Sequence, residues 1–170
     1  MVKLSLTPRR WLLTLHVLFS AIMFGGAVIF LVLSVIVATS SDEGIVSACY
    51  TVMHLLARTS VRASTIGTLA TGIMLSVMTQ WGLFKYHWII AKEALTAVCI
   101  VIGPVGMYFW TLKAVELTSA YGWSAGADSQ YIVNSVQLWI GIIIQIVSLA
   151  AMTALSVFKP GGARKRRKTA

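Results

Sequence analysis

Residues 11–39, WLLTLHVLFSAIMFGGAVIFLVLSVIVAT, run for 29 positions without a Lys, Arg, Asp or Glu. A helix rises 1.5 Å per residue, so about 20 apolar residues cross a hydrocarbon core of about 30 Å. The run also exceeds the roughly 7 to 15 residues of a signal-peptide core, so it is read as a retained span. A segment in lipid must satisfy its backbone polar groups internally, which leaves a helix as its fold. The rest of the chain agrees: 58% of the 170 residues are hydrophobic and 11% are charged, against about 25% charged in soluble domains. The sequence therefore predicts an all-α integral membrane protein.

Three further runs follow. Ser40, Ser41, Asp42 and Glu43 form a polar break, with Ser41 or Asp42 suited to cap the next helix. Residues 44–80 read as one long helix whose first third lies outside the bilayer or at its surface. Residues 88–112 and 131–158 are the third and fourth spans, separated by a loop at 113–130 that holds Tyr121, Gly122, Gly126 and Asp128. Four short-looped spans predict an antiparallel four-transmembrane-helix bundle, one domain over residues 1–170 with a basic tail from 159.

The formal charge of +9 lies mostly at the ends. Five of the fourteen basic residues fall in the terminal GGARKRRKTA and three precede Trp11. That distribution argues against nucleic acid and for a topology determinant. With the N-terminus cytoplasmic, ten basic residues lie on that side (Lys3, Arg9, Arg10, Lys85, Lys159, Arg164, Lys165, Arg166, Arg167 and Lys168). Three lie opposite: Arg58, Arg62 and Lys113. Both termini are expected inside. Cys49 and Cys99 show no metal-type spacing and read as apolar filler.

The topology brings charged residues to one depth. His16 lies five residues past Trp11 on the first span and Lys92 four past Trp88 on the third, both about 6 to 8 Å inside the cytoplasmic boundary. Residues 149–158 are the part of the fourth span at that depth, and His87 sits at the rim. Polar or small stripes support an inward direction: His16, Ser20, Met23 and Ala27, with Gly25 and Gly26 permitting close approach; Thr68, Thr71 and Gly72; Lys92, Thr96, Cys99 and Gly103; Gln137, Gly141, Gln145 and Ser148. Such stripes also serve ordinary helix packing. Lys92 could equally snorkel to headgroups, Glu93 could pair with Lys85 or Lys92 or face water, and His16 could donate to a backbone carbonyl.

A second cluster lies on the outer side. His54, Arg58 and Arg62 follow i, i+4, i+8, with Tyr50 one turn earlier. Two arginines on one face suit an anion such as a carboxylate or propionate; an amphipathic interfacial segment gives the same pattern.

His16 followed by Phe24, Gly25 and Gly26, the stretch W-x6-W-x3-K from Trp81 through Trp88 to Lys92, and Gly72 in Gly-x-x-x-Ser together resemble a superfamily of small bacterial four-helix membrane proteins. It comprises the HemJ-type protoporphyrinogen oxidases, CopD-like copper-resistance proteins and the DUF2269 type, and the resemblance is greatest to the last. It covers residues 11–112. It implies a bacterial cytoplasmic membrane, bound heme b, His16 as axial iron ligand and a functional Lys92 as second ligand, propionate partner or proton carrier. His54, Arg58 and Arg62 are carried as further cofactor-binding candidates, and a homo-oligomer as a candidate state. The function expected is therefore a heme-binding membrane protein in redox or heme handling, an oxidoreductase where it is an enzyme. Two rivals stand beside it: a small transporter or channel using Lys92 and Glu93 with Gln137 and Gln145 along a path, and a non-catalytic scaffold. Copper handling through Met74 and Met78 is a further variant.

Overall fold

The computed structural model describes residues 5–78, 86–121 and 128–160. Trp81, Lys85, the loop centre at 122–127 and the basic tail from residue 161 lie outside the described residues. Among those described, every regular element is helical.

Helix α1 spans Leu6–Thr39. Pro8 falls in its first turn, where a missing N–H costs nothing because no intrahelical acceptor exists for it. A connection of residues 40–42 turns the chain into α2, Glu43–Leu56. Of the two expected caps, Asp42 does the work: its Oδ1 accepts from Gly44 N at 2.8 Å and Ile45 N at 3.2 Å. A π-helical turn, Ala57–Val61, joins α2 to α3, Arg62–Val77, so residues 43–77 form one rod. Beside that turn, the Thr59 and Ser64 hydroxyls bond the carbonyls four residues back, Leu55 and Ser60, each at 2.7 Å. Such bonds compete with the helical ladder.

The third rod is built alike. Helix α4, His87–Ile100, passes through a π-turn, Val101–Met107, into α5, Tyr108–Tyr121. Pro104 sits inside that turn; it has no N–H, and its ring clashes with the carbonyl four residues back, so the ladder shifts register. The expected end of this span at residue 112 is corrected: the helix runs nine residues further, to Tyr121. Nothing in the segment TLKAVELTSA breaks a helix, and the glycines come only after it. Lys113 is therefore an exposed helical residue rather than the start of a loop. Helix α6, Ser129–Phe158, is capped by Asp128 Oδ1, which accepts from Gln130 N at 2.7 Å.

The four rods close on one another in chain order: α1 packs on α3 and α2, α2 on α5, α4 on α6, and α6 back on α1. One end of the bundle carries Leu6, His87 and Phe158 (the terminal end); the other carries Thr39, Glu43 and Ser129 (the turn end). Three helices, Leu6–Thr39, His87–Ala120 and Ser129–Phe158, are long and apolar enough to cross a membrane. The packing is inverted relative to a soluble domain. Val17, Ile66, Val101 and Val147 face outward, while Thr71, Thr111, Asn134 and Gln145 are buried. An apolar exterior of that extent fits lipid and not water. This is a multi-pass membrane protein.

The larger core cluster, around Phe30, Met53, Ala57, Met107 and Ile142, fills the turn-end half; a smaller one of Met23, Ala27, Cys99 and Leu149 lies nearer the termini. Both cysteines are free and buried, as apolar filler should be. The Trp110 ring lies against Gly106 and Gly141, where a side chain at Gly106 would approach it to 2.8 Å. Gly25, expected to let helices approach, does not, since a Cβ there would meet open space; Gly26 is buried against Val61, at 3.9 Å from where a Cβ would stand. Gln137 also leaves its expected stripe and is exposed, while Gln145, on the next turns, is buried.

Candidate functional site at the terminal end

His16 is half-buried on the face of α1 that meets α3. Its Nδ1 lies 2.9 Å from Thr71 Oγ1. The Thr71 hydroxyl carries one proton, and that proton points at the Gly67 carbonyl, 2.6 Å away, with the Thr68 carbonyl at 3.2 Å. Thr71 Oγ1 can therefore only accept from the ring, so Nδ1 is the protonated nitrogen and Nε2 carries the free lone pair. A histidine oriented through Nδ1–H with Nε2 open is the form that binds metals. Thr71 itself is buried, so water does not replace this bond.

Gly72 explains itself next to that ring. A Cβ there would stand 3.2 Å from His16 Cε1 and 3.7 Å from Nδ1. Its missing side chain is what lets the imidazole lie flat against α3. Thr71 and Gly72 share a stripe in the sequence, and both lie against His16.

Lys92, half-buried on α4, donates from Nζ to Ser156 Oγ at 2.9 Å. Ser156 in turn donates to the Met152 carbonyl at 2.8 Å. The ammonium lies 5.9 Å from the Trp88 ring centroid, within cation–π range. Ser156 falls in the stretch 149–158 expected at this depth, though the residue itself carried no signal. The layer thus joins three rods and α6: His16, Thr71 and Gly72, Lys92, and Ser156.

Glu93 does not join it. One of its carboxylate oxygens, Oε1, is buried with no hydrogen-bond partner, and no ion pair links it to Lys92. His87 is exposed at the rim.

Family models, curated proteins and solved structures were all compared with the chain, and none matches. Among the described residues no three His, Cys, Asp or Glu side chains gather as a metal site. One imidazole and one ammonium at the same level suit a metal that brings most of its ligands with it.

The remaining candidates form a different layer, towards the turn end. His54 Nδ1 lies 3.2 Å from Thr111 Oγ1, and its ring packs on Tyr108 with centroids 5.1 Å apart. The Arg62 guanidinium covers the same Tyr108 ring at 4.1 Å. Arg58 is exposed and makes no such contact. Tyr50, one turn before His54, is buried and shares a hydrogen bond of 2.9 Å with the Tyr131 hydroxyl. Tyr108 and Thr111 carry no local signal in the sequence: their partners, His54 and Arg62, lie on another rod far away along the chain, and no local pattern marks them.

Proposed function

We propose that this chain is a four-span protein of a bacterial cytoplasmic membrane, with both termini inside, that binds heme b through His16 in a redox or heme-handling role. The observation that carries the reading is the hydrogen-bond chain from His16 Nδ1 through Thr71 to the Gly67 carbonyl, which leaves Nε2 open in the ligating tautomer. Lys92 stands at the same level as the counter-charge for a propionate, held by Ser156. The rod of residues 43–77 is the fourth span in this reading, with Arg62 turned inward over Tyr108. Heme supplies one-electron redox chemistry when bound. The chain's own part is to fix the imidazole, place one positive charge beside it and keep lipid around the rest.

The absorption spectrum of the detergent-purified protein tests this. A Soret band in the wild type that is lost in His16→Ala, with the variant still eluting as a folded species, is the expected result. A colourless preparation that does not respond to added hemin refutes the reading.

A second reading, a small transporter with a polar path through the bundle, draws on two buried acceptors without partners, Glu93 Oε1 and Gln145 Oε1. Buried acceptors of this kind are costly unless water or an ion meets them. Substrate or ion flux into liposomes, reduced in Gln145→Leu and Glu93→Gln, is the result it requires; equal flux in both variants removes it.

A further inference from the structure

The two π-turns lie at one place in the bundle. The first, Ala57–Val61, falls between His54 and Arg62; the second, Val101–Met107, immediately precedes Tyr108 and Thr111; and the two turns touch. On an α-helix, residues eight apart drift by about 80° around the axis. A π-turn takes one more residue per turn and reduces that drift, so the first one brings His54 and Arg62 back towards a common face. The result is visible: both side chains pack on the same Tyr108 ring, the imidazole at 5.1 Å and the guanidinium at 4.1 Å. The second π-turn sets the register of that ring and of the Thr111 hydroxyl below it. Irregular turns of this sort inside helices gather at functional sites.

The stack is also electrically incomplete. Arg62 is half-buried in the middle of its rod and has no hydrogen bond or ion pair among the described residues. The whole chain has only five acids. Of these, Asp42 and Asp128 cap helices, Glu93 lies at the terminal end, and Glu43 and Glu116 are exposed. None pairs with Arg62. A guanidinium held over an aromatic face has its edge donors left for an anion, and a planar fork matches a carboxylate or phosphate. His54 holds the other face of the stack: the Thr111 hydroxyl is committed to the Met107 carbonyl at 2.7 Å, so it accepts from His54 Nδ1–H and fixes the imidazole against Tyr108, which leaves the anion donors to the arginine. Arg58, exposed one turn away, adds a second positive charge on the neighbouring surface. The neighbouring surface is apolar, with Leu55 57% and Ile66 68% exposed, so a ligand reaching the stack from that surface carries a hydrocarbon part.

We infer that the His54–Tyr108–Arg62 stack is a second binding site, which takes the oxyanion headgroup of an amphipathic molecule, a carboxylate or a phosphate. The site does not depend on heme at His16.

The full-length protein in a neutral maltoside detergent is titrated calorimetrically with dodecyl phosphate, laurate and dodecanol. Either acid is expected to bind at least about tenfold more tightly than the alcohol. Arg62→Gln and Tyr108→Leu are expected to abolish that preference, and Arg58→Gln to lower it only a few-fold. Two variants on different rods guard against the misfolding of one. A preference for dodecyl phosphate identifies a lipid headgroup, a preference for laurate a carboxylate, and displacement by inorganic phosphate a soluble oxyanion. Equal binding of alcohol and acids, or an unchanged preference in both Arg62→Gln and Tyr108→Leu, overturns the site and leaves Arg62 as a packing partner of Tyr108.

Discussion

The two histidine layers use one device for different ends. In each, the ring donates from Nδ1 to a threonine on the neighbouring rod, and that threonine donates to the carbonyl four residues back: His16 to Thr71 to Gly67, and His54 to Thr111 to Met107. In each, Nε2 is left open. What differs is the company. His16 stands against the bare backbone of Gly72, at the end of the bundle that also holds Lys92, a compact charge on a flexible stem. His54 lies against an aromatic ring whose other contact is an arginine. The first layer sets an imidazole flat against bare backbone. The second builds a flat cationic stack. The hydrogen bonds fix the tautomer in both, and the neighbours decide what can approach it.

On that division the matched threonines are not equivalent. Thr71→Val removes the acceptor that orients His16 and should lower heme affinity about 10- to 100-fold, as loss of an outer partner does at other metal-ligating histidines. Thr111→Val should leave the heme spectrum unchanged. Hemin titrations of both variants followed at the Soret band check this, and equal losses would erase the distinction between the layers.

Gly72→Val comes next. Its side chain would crowd the His16 ring at a cost of about 1 to 3 kcal/mol, so hemin binding should weaken by about tenfold or more while helicity by circular dichroism is retained. Lys92→Met should lower the affinity by about tenfold without moving the Soret maximum, because a propionate partner is lost and not an iron ligand. Hemin dimethyl ester, which has no free propionates, should bind wild type and Lys92→Met alike. A shifted maximum in Lys92→Met would make the lysine a ligand instead. The smallest change is expected for Ser156→Ala, which frees the ammonium at about 1 kcal/mol and should alter hemin binding only a few-fold.

What was legible in the sequence follows from how far each signal reaches. Uninterrupted apolar runs place α1 and α6, and the polar break at residues 40–42 places the turn and its cap, since both are local. The end of the third rod was misplaced at residue 112 because apolarity ends there, whereas helix-forming residues continue to Tyr121. Apolarity and helicity are different properties, and only the second has a breaker at the following glycine. Counting depth along antiparallel rods brought His16 and Lys92 to one level and pointed to the stretch holding Ser156. It could not say which residue there would meet Lys92. The stripe logic marked Thr71 and Gly72 but failed at Gly25 and Gln137, which share a periodicity with inward residues without facing a neighbour. The π-turns were the least legible. Pro104 gives a reason for one of them, and the other, ARTSV, has no proline or glycine. Their effect, which is to gather His54, Arg62 and Tyr108, is a matter of register between rods and leaves no local trace.

The central claim is that His16 offers a free Nε2 to iron. Hemin titration of His16→Ala in detergent, repeated with millimolar imidazole, tests it most directly. The variant alone should bind weakly, with no axial-histidine spectrum, and added imidazole should restore the wild-type Soret position by occupying the space beside Gly72. A His16→Ala protein that binds hemin with the wild-type spectrum and affinity, imidazole or not, would show that His16 does not ligate the iron.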